Sequence, residues 1–246
     1  MNEFKADLHI HTVLSPCGSL EMSPVNVINH AVKKGMDIIG ITDHNTTRHC
    51  ELLRELGIEK GIFVLAGAEV NTREEIHCLA FFEKSIELQK FQEYLDEWLA
   101  PIKNDPDKFG DQVQVNRKDE IVYVEEKSLF ASLNQSIEEV EMKVHELNGI
   151  FIPAHIDRPR NSVYSQLGFF PEGLKADAIE IFRDTDPFAF ITRHPEVDGF
   201  TMIKSSDAHF PGDIARNYSI FKLRNLSFAE IMLALENSAG REVRTK

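Results

Sequence analysis

Apolar and polar positions alternate along Phe4 to Ile10, the period-two pattern of a strand. Regular alternation puts Asp7, His9 and His11 on one face and Leu8 and Ile10 on the other. Ser23-Pro24 then supplies an N-cap and a first-turn proline, Val25, Ile28, Ala31 and Val32 recur at helical spacing, and Gly35 ends the helix. Asp37 to Thr42 reads as a strand delivering Asp43 and His44. A helix over Thr47 to Leu56 and a strand over Ile62 to Ala66 follow, with Glu69 just beyond. This β-α-β-α-β rhythm predicts a parallel sheet with helices outside it.

The polar turn Asn71 to Glu75 and the apolar run Ile76 to Phe82 predict a hairpin that returns His77 to the end of the sheet holding Glu69. A helix near Ile86 to Leu99, Pro101, a polar stretch from Lys103 to Glu120 and a brief Ile121 to Val124 segment make residues 84–127 an expected insertion or lid. Ile137, Val140, Val144 and Leu147 form a helical stripe before a strand at Ile150 to Ala154. Further strands are expected at Ala178 to Phe182, Phe200 to Ser205 and Tyr218 to Leu223. A last helix is opened by Ser227 and Glu230 as a capping box. Seven or eight β-α units over 246 residues fit one α/β barrel domain better than an open sheet.

Composition narrows the class. With 42% apolar residues the chain is globular, and no apolar run is long enough for a membrane span, so a cytoplasmic protein is expected. Lys plus Arg number 27 against 40 Asp plus Glu, a net charge of −13, which disfavours an extended nucleic-acid surface. Three cysteines are too few for a disulfide framework. Cys50 and Cys78 sit in apolar surroundings and read as core residues; Cys17 does not.

The candidate chemistry lies just past the strands: His9 and His11, His44, Glu69, His155, Asp207 and His209. In a β/α barrel these ends open on one face, where active sites are built. A single histidine there is more often a satisfied surface or core residue, and His9 and His11 alone fit a solvated edge strand equally well. Several at equivalent positions point to a metal site. Imidazoles, carboxylates and one thiolate are donors for a divalent transition ion, not the all-oxygen shell of magnesium or calcium.

The segments Asp7-Leu8-His9-Ile10-His11, Ile41-Thr42-Asp43-His44-Asn45, Gly67-Ala68-Glu69, Pro153-Ala154-His155 and Ser206-Asp207-Ala208-His209, in this order, resemble the motifs of the polymerase and histidinol phosphatase (PHP) domain family. The resemblance implies a distorted (β/α)7-type barrel with a trinuclear centre that hydrolyses phosphate esters. It implies one ion on His9, His11, Glu69 and Asp207, a second on Glu69, His77 and His155, and a third on Cys17, His44 and His209. Many relatives carry His or Asp where Cys17 stands, and a thiolate tilts that site toward zinc or iron. Two to three divalent ions are expected, zinc, manganese or iron in preference to magnesium.

Paired ions clamp phosphoryl oxygens and lower the pKa of bound water to about 7, so metal-bound hydroxide is the expected nucleophile, with Glu69, Asp207 and His209 in the catalytic machinery. Asp7 and Asp43 are candidates to orient ligating imidazoles; a strand-end turn role fits each equally well. Arg158, Arg160 and Arg183 are candidates to bind substrate phosphate, although a solvated arginine is the commoner role for any one. His30, His49 and His145 read as structural, and His194 as a loop residue. The expected substrate is a small phosphorylated metabolite or nucleotide. The alternatives are an exonuclease or oligonucleotide phosphatase of the same family, a metal-dependent amidohydrolase, which lacks a convincing bridging lysine here, and a non-catalytic partner domain.

Overall fold

The computed structural model describes residues 1–245. Its elements in chain order begin with β1 (Asn2–Ile10), α1 (Pro24–Lys34), β2 (Ile38–Ile41), α2 (Cys50–Lys60), β3 (Phe63–Asn71), β4 (His77–Phe82) and α3 (Ser85–Trp98). There follow α4 (Pro106–Phe109), β5 (Val113–Val115), β6 (Ile121–Val124), α5 (Ile137–Glu146), β7 (Ile150–Pro153), α6 (Val163–Leu167) and β8 (Ile179–Glu180). The chain ends with α7 (Pro187–Arg193), β9 (Met202–Ile203), β10 (Ser219–Leu223), α8 (Phe228–Leu235) and β11 (Glu242–Thr245). Helix α1 forms where expected: the Ser23 hydroxyl accepts from the Asn26 N–H, Pro24 occupies the first turn, and Gly35 closes the helix at φ 69°.

β1, β2 and β3 run parallel, and β4 folds back antiparallel between β3 and β7. The Asp177 N–H donates to the Phe151 carbonyl and the Ile156 N–H to the Glu180 carbonyl, joining β7 to β8, which pairs in parallel with β9. Beyond β9, the His11 N–H donates to the Ala208 carbonyl and the Ala208 N–H to the His9 carbonyl. The ring β1-β2-β3-β4-β7-β8-β9 is therefore a seven-stranded distorted barrel. β10 and β11 extend it as a flap on the first half of β1.

β1 does not alternate regularly. Its register against β2 shifts between Asp7 and Ile10, a bulge in which three steps on β1 answer two on β2. The approach is close: a Cβ on Gly40 would lie 2.3 Å from the Leu8 carbonyl oxygen. In consequence Ala6 and Leu8 belong to the inner core and Ile10 to the outer one. His9 and His11 converge beyond the bulge, whereas Asp7 turns away to accept from the Ser206 and Ala215 N–H groups.

The barrel interior is filled by Leu8, Ile38, Leu65, Leu79, Phe81, Ile152 and Ile203, and closed below by Phe221, Phe228 and Ile231 from β10 and α8. Phe81 has no exposed surface, so Phe81→Ala is expected to cost about 3–5 kcal/mol, read as a lowered urea midpoint at unchanged slope. The stretch 84–127 divides. α3 is an integral outer helix with Phe91 and Leu95 fully buried, and the β5–β6 hairpin beyond it packs Val113 and Val115 of β5 against Val13. At α8 the Ser227 hydroxyl caps the Glu230 N–H, but the Glu230 carboxylate takes Arg241 and the Arg224 N–H instead of closing the expected box. Among the described residues no helix is long and apolar enough to cross a membrane.

Candidate metal centre

Glu69 is the hub. It lies inside β3, which runs further than the expected Ala66, and its carboxylate is buried. Five imidazoles converge on it: His77 Nδ1 at 2.8 Å, His44 Nδ1 at 3.1 Å, His9 and His155 Nε2 at 3.2 Å and His11 Nε2 at 3.3 Å. The hairpin brings His77 there by pairing Asn71 with His77. Asp207 Oδ1 stands 3.4 Å from His11 Nε2, 3.5 Å from His9 Nε2 and 3.6 Å from His209 Nδ1. The donor atoms of His11, Cys17, His44 and His209 lie within 4.8 Å of one another, as do those of His9, His11 and Glu69 and those of His44, Glu69 and His77. The nine expected ligand positions are thus brought together. One departure from the expected grouping is that His44, assigned with Cys17 and His209, also touches Glu69.

This donor set fits cations. His9 and His11 turn their Nε2 atoms toward each other at 3.2 Å, a contact that needs a positive charge or a proton between two lone pairs. Burial alone would raise the Glu69 carboxyl, but His77, His9 and His44 hold it well below the usual range. Burial likewise opposes charge on His9, yet Glu180, Glu69 and Asp207 raise its pKa well above normal. At His11 the carboxylates of Asp207 and Glu69 outweigh burial, giving about 9. Burial, reinforced by the neighbouring imidazoles, keeps His44 well below normal against the pull of Glu69. The Cys17 thiol is pushed up by burial and by Glu69, Asp207 and Asp43. A bound cation would reverse the push of those carboxylates and favour thiolate. Cys17→Ala is expected to lower the bound metal per chain, and equal metal content in variant and wild type would remove Cys17 from the ligand set.

The supporting residues differ from expectation. Asp7 touches no imidazole; buried, with its carboxyl raised to about 6 by desolvation, it ties the Ser206 and Ala215 backbone to β1. The orienting carboxylate at His9 is Glu180, whose Oε2 lies 3.0 Å from His9 Nδ1 and accepts from the His155 N–H. Sequence reading missed Glu180, although an acid inside the apolar run Ala178 to Phe182 signals a buried, paired carboxylate. Asp43 acts one step removed: its Oδ1 accepts from the Ser15 hydroxyl, which sits 3.0 Å from His11 Nδ1. Arg158 Nη1 donates to Asp207 Oδ2 at 3.0 Å and the side chain lines a cavity of about 200 Å³ with Cys17, His44, Asn71, Phe130 and His209. Arg183 lines a separate small recess beside His155 and Glu180. Arg160 lines neither and, like Pro159 before it, is exposed. His194 packs on Tyr164 and Phe190, away from the centre.

Buried imidazoles and carboxylates gathered at one end of a distorted β/α barrel define a metal-binding protein of the PHP type. A family profile for the PHP domain matches residues 7–167, and the chain belongs to that family. It is 24% identical over 286 residues to the uncharacterised protein YqxK of Bacillus subtilis (strain 168), covering 99% of this chain and 64% of that one. It is 42% identical over 79 residues to the uncharacterised protein MJ1587 of Methanocaldococcus jannaschii, 28% of this chain and 46% of that one. The chain thus spans less than two thirds of these relatives. Among solved structures, a lesion-specific endonuclease from Pyrococcus furiosus matches with a TM-score of 0.79 at 20% identity, over 98% of this chain and 58% of that chain. A candidate metal-dependent phosphoesterase from Bifidobacterium adolescentis matches at 0.59 and 19% identity, over 84% and 88%.

Proposed function

We propose that this chain is a metal-dependent phosphoesterase acting on a small phosphorylated metabolite or a nucleotide. The observation that carries the reading is the convergence of five imidazoles on buried Glu69, with Asp207, His209 and Cys17 beside them and Arg158 at the cavity wall. Zinc, manganese or iron ions, when bound, supply Lewis-acid activation of water and neutralise phosphoryl charge. The chain's own residues do the rest. Glu180 and Ser15 fix the His9 and His11 rings through their Nδ1 atoms, so that both Nε2 atoms face the centre. Arg158, held on Asp207, presents a guanidinium to phosphate oxygens.

Half-exposed Phe130 sets its ring 5.5 Å from that of His44, tilted by 48°, with Phe109 set edge-on at 6.4 Å. Its backbone is tied down, since the Asn71 amide donates to the Phe130 carbonyl and the Asn45 amide to those of Leu129 and Ala131. A fixed, flat apolar wall beside the phosphate position suits a ring-bearing leaving group.

The deciding experiment is a hydrolysis screen over sugar phosphates, histidinol phosphate, mono- and bisphosphorylated nucleotides and short oligonucleotides, with manganese, zinc, iron and magnesium each supplied. Turnover of one small phosphomonoester class, dependent on a transition ion, is the expected result; metal-loaded protein inert on the whole panel sinks the proposal. A second reading, cleavage of nucleic acid, draws support from the fold shared with the lesion endonuclease over 98% of this chain. Cleavage of oligonucleotides with no turnover of mononucleotides would favour it.

A further inference from the structure

From the hydrogen bonds that lead outward from His11, we infer that His49 is a positioning residue which couples the docking of the β5–β6 hairpin to ion affinity at the metal centre. The inference rests on the centre of the preceding reading but on no particular substrate.

The relay has five links, each buried. The Val115 N–H, on β5, donates to His49 Nε2 at 2.9 Å. A backbone N–H can only donate, so Nε2 carries the lone pair and the proton sits on Nδ1. His49 Nδ1 is 2.7 Å from the Thr12 hydroxyl, which therefore accepts from it and donates its own proton to Asp43 Oδ2 at 2.7 Å. On the other carboxylate oxygen, Asp43 Oδ1 accepts from the Ser15 hydroxyl at 2.7 Å. With its proton committed to Asp43, Ser15 can only accept, from the His44 N–H at 3.1 Å and from His11 Nδ1 at 3.0 Å. His11 thereby keeps its Nδ1 proton on Ser15, with Nε2 aimed at Glu69 and Asp207.

The proton order runs without a break from a backbone amide of the hairpin to a candidate ligand. Thr12, Ser15 and His49 have no exposed surface and every donor and acceptor along the path is used. A fully satisfied buried network holds its members to one geometry, and removing a link strands the groups on either side. Burial requires both ring nitrogens of any core histidine to be engaged, so what distinguishes His49 is which partners they engage. One is on the hairpin and one is the side chain that fixes Asp43. Coupling of this kind is reciprocal: loading the centre must strengthen the Val115–His49 link by as much as the link strengthens loading.

Two substitutions separate positioning from packing. Thr12→Val keeps the shape and removes the hydroxyl, whereas Thr12→Ser keeps the hydroxyl; His49→Leu cuts the relay at its outer end. Zinc and manganese affinities are measured by chelator competition, and hydrogen exchange at the Val115 amide is followed in stripped and loaded protein. Thr12→Val and His49→Leu are expected to weaken binding by about tenfold, with Thr12→Ser at wild-type affinity. Metal should slow Val115 exchange in wild type and Thr12→Ser but not in Thr12→Val. Folded Thr12→Val that binds with wild-type affinity, or in which metal still protects Val115, overturns the relay while leaving the phosphoesterase reading intact. Wild-type protein that binds neither ion removes the centre, and both fall together.

Discussion

Glu69→Ala is expected to abolish hydrolysis and strip bound ions from a chain that still folds. Five imidazoles face this one carboxylate within 3.3 Å. Its loss removes a negative charge that the His9–His11 pair and the His44–His77 pair share. Several kcal/mol of charge stabilisation by bound ions, taken as about 4, corresponds to roughly a thousandfold in rate, so turnover should fall at least that far. The fold should survive, because the barrel interior is built from other residues, Leu65 and Leu79 among them. Metal analysis, turnover and far-ultraviolet circular dichroism on the purified variant check all three statements. Full activity would show that the chemistry lies elsewhere in the molecule.

Stripping the ions with a chelator is expected to lower the melting temperature by about 5–10 °C. Ions held at a hundred times their dissociation constant stabilise by about 2.7 kcal/mol, and 1 kcal/mol moves a chain of this size by roughly 2–4 °C. The gap should also depend on pH. His11 has a folded pKa near 9 in the ion-free protein, above its ordinary 6.5. A raised pKa gives stability that is complete below the unfolded value and is lost as pH rises through the folded one. The stripped protein therefore weakens between about pH 6.5 and 9, while ion binding, which needs unprotonated imidazoles, strengthens over the same window. The difference between loaded and stripped melting temperatures should widen with rising pH. Calorimetric scans across that range measure it, and a gap that narrows instead would contradict the assignment of His11.

Much of this was legible in the chain. Ser23 to Gly35 carries both caps of its helix, and the run from Ile76 to Phe82 announced a strand that folds back to deliver His77. Ligand positions could be read because they sit at strand ends, which a barrel collects on one face. What could not be read depends on contacts between distant segments. The bulge in β1 lies where β1 approaches Gly40 of β2 closely, and Asp7 beside it turns to Ser206 and Ala215, some two hundred residues away in sequence. Glu180 looked like one polar residue in an apolar strand until β8 was laid beside His9 and His155. β11 gave no strong pattern of its own and forms by adding to β10. Glu230 matched a capping signature, but Arg241 offers a stronger partner than the backbone N–H it would have capped.

Two of the groups facing the centre carry backbone that side-chain-bearing residues avoid: His155 at φ 29° and Asp207 at φ 51°. Such conformations cost about 1–3 kcal/mol each, and the intact ring of strands is what enforces them. Ions bound here would therefore meet a site whose shape is imposed by the strands around it. It follows that a melting curve and an ion-titration curve report one quantity from two ends. A substitution that loosens the floor at Phe228 or Ile231 should surface as ions that leave faster, long before it surfaces as protein that fails to fold.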